Sequence, residues 1–571
     1  MKSETKKCQN CKNDFIIEPE DFNFYEKIKV PPPTFCPHCR FVRRMAYRNE
    51  RTLFKRFCDL CKRNIISIYP SSVVFPVYCK ECWYLDKWEA TEYGRDYDFS
   101  RPFFEQLKEL FFSVPHLAIW QRNVINSEFS NMIGECKNVY LSSSVVLGSE
   151  NVFYSKIVDK SSNIFDSYGI KDSDKLYENL ECEKNYNSQH LILSNNCLDS
   201  YFLIDCRNCS NCILSNNLRN KQYFIRNKKY SKEDYFKELG NLNLGSRKSR
   251  EILIKEFEKI KKNAIYRFAN INKSISSTGN NLLNVKNCIN CFDVYNTENS
   301  KNCYRVISNK DSMDVDFGGV AELLYEYSTG ALNDYNVRFS YSAMESVQNA
   351  EYTESCISSS NIFGCNSLKK KEYVIFNKIY SKEGFYELRE KIIEHMNSMP
   401  FIGNNGRVYR YGEFFPVEFS HFSYNESCAQ DFFPLTKNEI LEKGYIWHEP
   451  EEKNNIYTIS AELIPDDIKE VENKILNEAL QCLHNRECNH QCTKAFRLTQ
   501  DEFSFYKEHN IPIPNKCYNC RYYGRFQKIL PLKLWYRKCM KEGCNNEFET
   551  SYDPERPEIV YCERCYQQEV Y

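Results

Sequence analysis

Paired cysteines placed at both ends are the feature that most limits what this chain can fold into. Near the start stand Cys8 with Cys11 and Cys36 with Cys39, followed by Cys58 with Cys61 and Cys79 with Cys82. Near the end stand Cys488 with Cys492 and Cys517 with Cys520, followed by Cys539 with Cys544 and Cys562 with Cys565. A module of about 35 residues buries too little apolar surface to fold alone. Four thiolates around one cation supply the missing stabilisation, on the order of 10 kcal/mol per site. Two cysteine knuckles form a closed tetrahedral cage with no position left for water, so the expected metals are structural. Four structural Zn²⁺ sites are the expectation, with iron as the competitor that the same sulfur geometry accepts.

The two ends are copies. Twenty-four residues separate Cys11 from Cys36 and also Cys492 from Cys517; 18 separate Cys39 from Cys58 and Cys520 from Cys539; 17 separate Cys61 from Cys79 and Cys544 from Cys562. Phe15, Phe22, Phe24 and Tyr25 match Phe496, Phe503, Phe505 and Tyr506, and Arg40 and Arg44 match Arg521 and Arg525. A tandem pair was therefore duplicated as a unit. His38, His484 and His490 stand in or beside knuckles, but each site already counts four thiolates, so they are expected to be bystanders. Cys482 is an alternative to Cys488.

The stretch from Cys8 to Arg40, with its CPHCR ending, resembles the zinc-ribbon (treble-clef-like) domain. With RNERTLFKRFCDLC, YGRDYDFSRPFFEQ, YGEFFPVEFS and RPEIVYCERCYQQEVY, the whole chain resembles a family of long multi-ribbon proteins of candidate-phyla bacteria. That resemblance implies ribbons at both ends and no established activity. Some relatives carry a CaiB/BaiF name, which no segment here supports.

Between residues 126 and 378 another rhythm runs. Asn followed by a small apolar residue recurs at Asn138, Asn151, Asn163, Asn208, Asn211, Asn287, Asn290, Asn302 and Asn361, with early steps of 12 to 13 residues. Asn tolerates left-handed corners and forms amide ladders, and short β-prone runs at this spacing predict a β-solenoid. Residues 211–233 match residues 361–383 at 12 of 23 positions, so the array has two halves. The fold class expected is mainly β with helical insertions, with tandem zinc ribbons at both termini flanking a central β-solenoid in two halves. The boundaries read as ribbons 1–92, a helical linker 93–125, half one 126–228, a helical insertion 229–272, half two 273–378, a helix 379–399, an aromatic-rich linker 400–480 and ribbons 481–571. Ser231 and Ser381 read as helix N-caps. Leu253, Phe257, Ile260, Ala264 and Phe268 keep helical spacing and should face a core. The linker is expected to hold the C-terminal ribbons against the solenoid. Cys206, Cys209, Cys212, Cys288 and Cys291 fill the repeat's small apolar slot and read as buried hydrophobes rather than as a fifth metal site. The stretch DSMDVDFGG has oxygens at the wrong offsets for a calcium loop and reads as a solvated turn.

Charge and composition bound the function. The formal net charge is zero over 571 residues, which excludes a chain-wide electrostatic nucleic-acid binder. Basic residues do cluster locally. Arg40, Arg43 and Arg44 at one end, and Lys516, Arg521, Arg525 and Lys528 at the other, lie among aromatics and suit a single-stranded nucleic acid. The bland alternative is that they neutralise the thiolate cages, each of net charge about −2. There is no phosphate-binding glycine loop, no HExxH and no paired arrangement among the nine histidines, so no enzyme is expected. The 29 cysteines and the polar opening MKSETKK point to a reducing, cytoplasmic setting. The reading is a non-catalytic zinc-binding scaffold that binds protein partners through ribbons and solenoid, with nucleic-acid binding as the alternative and an enzyme as the second alternative.

Overall fold

A computed structural model describes residues 2–329, 332–342, 345–449 and 456–571. The acidic part of the expected linker, 450–455, lies outside the described residues. The architecture is mainly β. Two parallel arrays, over residues 121–229 and 271–379, form the middle, and the cysteine modules lie against them.

Each array is built on a register of about one repeat. Val152 pairs with Ile164 and Ile164 with Leu176, all parallel. Two extra one-residue steps, Ala321 with Asp334 and Tyr335 with Gln348, occur in the second array. The finer rhythm is three residues, which the Asn spacing alone does not reveal. Asn151, Tyr154, Ile157, Lys160, Asn163 and Asp166 all take positive φ, so the chain turns a corner at every third residue. The positions one residue further on point inward. Val152, Ser155, Val158, Ser161, Ile164, Ser167 and Ile170 are buried in sequence.

The first array departs from the open β-solenoid expected. The long strands Asn131–Tyr140 and Tyr186–Ile192 each turn a corner and join two ladders, so the pairings close into a nine-strand parallel barrel. In the second array the ladders remain separate sheets of five and nine strands. Each array ends in a matching antiparallel hairpin, Gln222–Ile225 with Lys228–Lys229 and Glu372–Ile375 with Lys378–Ile379.

Two side-chain ladders hold consecutive turns together. On the outside, Asn138 donates to Asn151 at 2.9 Å and Asn151 to Asn163 at 3.0 Å, and Asn287 donates to Asn299 at 3.0 Å in the second array. Inside, the Ser155 hydroxyl donates to the Phe153 carbonyl and accepts the Ser167 N–H, so no polar group in this slot is wasted. Cys206, Cys209, Cys212, Cys288 and Cys291 stand in the same inward slots, buried, with sulfurs against carbonyls such as that of Thr297, 3.4 Å from Cys288 Sγ.

The helices Lys232–Asn241 and Lys382–Ser398 follow the two hairpins, and Ser231 and Ser381 cap them through their hydroxyls. Leu253 and Phe257 of the helix Arg247–Asn263 are buried against the first array, with Ile260, Ala264 and Phe268 in the same cluster. The segment expected to serve only the C-terminal ribbons is split. Tyr409, Tyr411, Phe414 and Phe415 belong to the cluster of the N-terminal modules and second array, whereas residues from Ile459 to Leu480, together with Phe432, join the third module. Aromatic rings of this size are stable only where a ready apolar face exists, and Tyr47 with Tyr352 offers one.

Candidate metal centres and the cleft between the arrays

The four cysteine modules share one local construction. A short hairpin strand ends immediately before the first cysteine: Glu4–Lys7 before Cys8, Phe54–Phe57 before Cys58, Leu480–Gln481 before Cys482 and Trp535–Lys538 before Cys539. The third cysteine is the N-cap of a helix: Cys36, Cys79, Cys517 and Cys562. Its N–H donates to the first sulfur, at 3.2 Å for Cys36 to Cys8 and 3.3 Å for Cys79 to Cys58, Cys517 to Cys482 and Cys562 to Cys539. Helix N-termini favour the thiolate form, which is the form a metal takes.

Four groups of sulfurs result: Cys8, Cys11, Cys36, Cys39; Cys58, Cys61, Cys79, Cys82; Cys482, Cys492, Cys517, Cys520; and Cys539, Cys544, Cys562, Cys565. Sulfur–sulfur separations are 3.8 Å for Cys11–Cys36, 3.9 Å for Cys61–Cys79, 3.8 Å for Cys482–Cys520 and 4.0 Å for Cys544–Cys562. A tetrahedron of sulfurs about 2.3 Å from a central Zn²⁺ has edges of about 3.8 Å. The groups therefore have the size of zinc-ribbon-like sites. Beside the second, the Arg63 guanidinium and the Arg63 N–H draw the exposed Cys61 thiol down to about 6.

The third group corrects one expected ligand. Cys482, not Cys488, follows the hairpin strand and accepts the Cys517 N–H, and so stands where Cys8 stands in the first module. The signal was available in hindsight from the hairpin, since Leu480–Gln481 pairs with Ala495–Phe496 as Glu4–Lys7 pairs with Asp14–Ile17. Cys488 instead lies with His484, His490 and Cys520 in a second group. His484 and His490 are thus not bystanders in position. His38 packs edge-on against Phe433.

The arginines assigned to a nucleic acid are buried. On the helix Pro37–Ala46, Arg40 pairs with Asp314 at 2.7 Å, Arg43 with Glu326 at 2.7 Å, and Arg44 with Asp316. On the helix Tyr518–Phe526, Arg521 pairs with Asp166 at 3.1 Å, and Arg525 with Asp166 at 2.6 Å and Glu178 at 3.1 Å. Arg40, Arg43, Arg44, Arg521 and Arg525 are at most 8% exposed, so they present no charge to a ligand outside. Lys528 is exposed and Lys516 half-buried.

Asp166 and Glu178 stand twelve residues apart on adjacent turns, and so do Asp314 and Glu326; all four occupy left-handed corners. Each module helix thus grips the same pair of corner carboxylates on its own array. This also corrects the reading of DSMDVDFGG, whose Asp314 and Asp316 are fully buried rather than solvated. The sequence hid these acids because a corner acid and a surface acid look alike until the opposing helix is placed.

The two ends also meet. Arg51 donates to the Asn519 Oδ1 at 2.8 Å and lies 4.3 Å over the Tyr522 ring, and Lys156 of the first array pairs with Glu50 at 2.8 Å.

Between the arrays lies a cavity of about 860 Å³. Trp120, Tyr168, Tyr295 and Phe317 supply aromatic walls, and the charged lining is Asp159, Glu181, Glu183, Asp293 and Glu345 with Lys80, Arg122, Lys160, Lys171 and Arg305. The Arg305 guanidinium stacks 4.4 Å over Phe317 and donates to Ser144. Burial, then the Asp293 charge, pushes the Glu181 carboxyl up to about 7; burial also raises Asp159 and Asp293. None of these acids was singled out from the sequence, since they converge only when the arrays stand side by side.

No family model matches the chain, and no curated protein does. A matching solved structure is a Desulfovibrio desulfuricans G20 protein provisionally described as an acetyltransferase, 11% identical, covering 51% of this chain and 74% of that one. Its TM-score of 0.10 carries no argument about fold or function. Among the described residues, no helix is long and apolar enough to cross a membrane.

Proposed function

We propose that the chain is a non-catalytic binding scaffold, folded at both ends by Zn²⁺, whose binding site is the cleft between two stacked arrays. In this reading the cysteine modules are zinc ribbons that clamp the flanks of the two parallel arrays. Thiolate cages without an open coordination position suit structural metals, not catalytic ones. Twenty-nine cysteines with no disulfide among the described residues suit a reducing, cytoplasmic setting.

The observation that carries the reading is the cavity of about 860 Å³ with aromatic walls, in which burial raises the Asp159, Glu181 and Asp293 carboxyls. Exposed Leu147, Ile307 and Leu332 at its rim add apolar anchors. The occupant that fits is a segment of a protein partner carrying basic and aromatic side chains. A cationic side chain offsets the burial, and then the Asp293 charge, that raise Glu181.

The test is selection from a random peptide library on the metal-replete protein, with a Glu181→Lys, Asp293→Lys variant as the counter-target. Enrichment of basic, aromatic peptides that the variant does not hold is expected. Their binding should strengthen from pH 6 to pH 8 as Glu181 ionises through about 7. Peptides held equally by both proteins, or none enriched, would overturn the reading.

A further inference from the structure

We propose that the third cysteine module holds two metal ions, joined through the thiolate of Cys520. Two groups of donor atoms meet there: Cys482, Cys492, Cys517 and Cys520, and His484, Cys488, His490 and Cys520, each with ligand atoms within 4.8 Å of one another. Cys520 belongs to both. Its sulfur lies 3.8 Å from that of Cys482 and 3.7 Å from that of Cys488, the edge of a tetrahedral cage in each direction.

The imidazoles are poised as ligands. His484 Nδ1 and His490 Nδ1 are buried without a hydrogen-bond partner, which is costly unless a metal or a proton donor completes them. The ring centroids lie 5.5 Å apart with the planes tilted by 53°, and His490 is braced by stacking at 5.6 Å on Tyr523. Two imidazoles and two thiolates suit a thiophilic divalent ion such as Zn²⁺.

The duplication sharpens the argument. In the first module two residues separate Cys8 from Cys11, whereas nine separate Cys482 from Cys492. The added loop carries all three donors that the first module lacks, His484, Cys488 and His490. Sharing a thiolate also spreads charge. Five thiolates around two Zn²⁺ leave a net charge of about −1, less than the about −2 of a single closed cage.

Native mass spectrometry of the full chain, purified with its metals, counts the ions. The expected result is five Zn²⁺ in the wild type and four in a His484→Ala, His490→Ala variant with unchanged circular dichroism. In ¹¹³Cd-substituted protein, the Cys520 β-protons should couple to two cadmium resonances, one of which the variant lacks. A wild type with four ions overturns the inference. So does a variant that keeps the wild-type count, or a Cys520 coupled to one cadmium. Should the double variant not fold, Cys488→Ala with the same two readouts decides.

Discussion

The N-terminal and C-terminal modules solve one docking problem with different parts. Both present an arginine pair, Arg40 with Arg44 and Arg521 with Arg525, to corner acids on adjacent turns of an array. The N-terminal helix adds Arg43, which reaches Glu326 and Glu413, and the C-terminal helix has Gly524 at the matching position. The N-terminal arginines are accordingly shared among Asp314, Asp316, Glu326 and Glu413, and the C-terminal ones among Asp166, Glu178 and Glu502, with Asp166 common to Arg521 and Arg525. The C-terminal module invests instead in its knuckle, where a longer loop brings extra metal donors. A duplicated unit thus keeps its docking logic while redistributing where stability is stored.

Metal removal should break the comparison most completely. Each cage supplies on the order of 10 kcal/mol, so a strong chelator should unfold both ends. Limited proteolysis is expected to cut within 2–92 and 481–571 before it cuts either array.

Neutralising one corner acid separates the two docks. Asp166→Asn removes the acid that Arg521 and Arg525 share, leaving Glu502 to the first and Glu178 to the second, and should cost about 3–5 kcal/mol. Asp314→Asn should cost less, because Arg44 keeps Asp316 and only Arg40 loses its near acid, Glu326 lying 4.0 Å away. Urea denaturation gives the totals, and hydrogen exchange in the helices Tyr518–Phe526 and Pro37–Ala46 shows which dock has loosened.

Acid should act on the second array first. Burial would raise the Glu354 carboxyl, but His421 and His116 outweigh it and hold it at about 2, against 4.5 unperturbed. The contribution of a depressed carboxylate is full above its unfolded value and is lost as pH falls through the folded one. Stability worth about 2–3 kcal/mol should therefore disappear between pH 4.5 and about 2. The check is denaturation across that range, where Glu354→Gln should flatten the profile.

The smallest effect belongs to the amide ladders. Asn151→Ala and Asn299→Ala each remove the two ladder hydrogen bonds that the amide makes to the turns on either side, and a residue suited to a left-handed corner. Each should cost about 1 kcal/mol, equally in both arrays. A loss confined to one array would show that the closed barrel of the first array and the separate sheets of the second distribute strain differently.

Much of the fold was legible in residue identities. The cysteine spacings located four modules because the separations between successive cysteine pairs repeat at the two ends, and all nine Asn of the repeat occupy left-handed corners because Asn is among the few residues with a side chain that tolerate them. Cys488 misled because two cysteines stood near enough in sequence to serve one cage, and only the hairpin decides that Cys482 takes it. The arginines misled for a related reason. Nothing in Arg521 or Arg525 distinguishes a guanidinium waiting for phosphate from one already paired with Asp166.

The sequence by itself determined the modules, the duplication and the repeat, since each rests on local chemistry: thiolates at fixed spacing, Asn at corners, small residues in inward slots. Only the tertiary structure decided which corners the chain turns with unfavourable residues. Tyr154, Ile157, Phe202 and Leu214 all take positive φ, a cost that stacked turns on either side impose and repay through burial and parallel pairing. It also decided that Asp159, Glu181 and Asp293 share one cavity and that Cys520 faces two sets of ligands. Those are meetings between segments far apart in the chain, and no local preference encodes them.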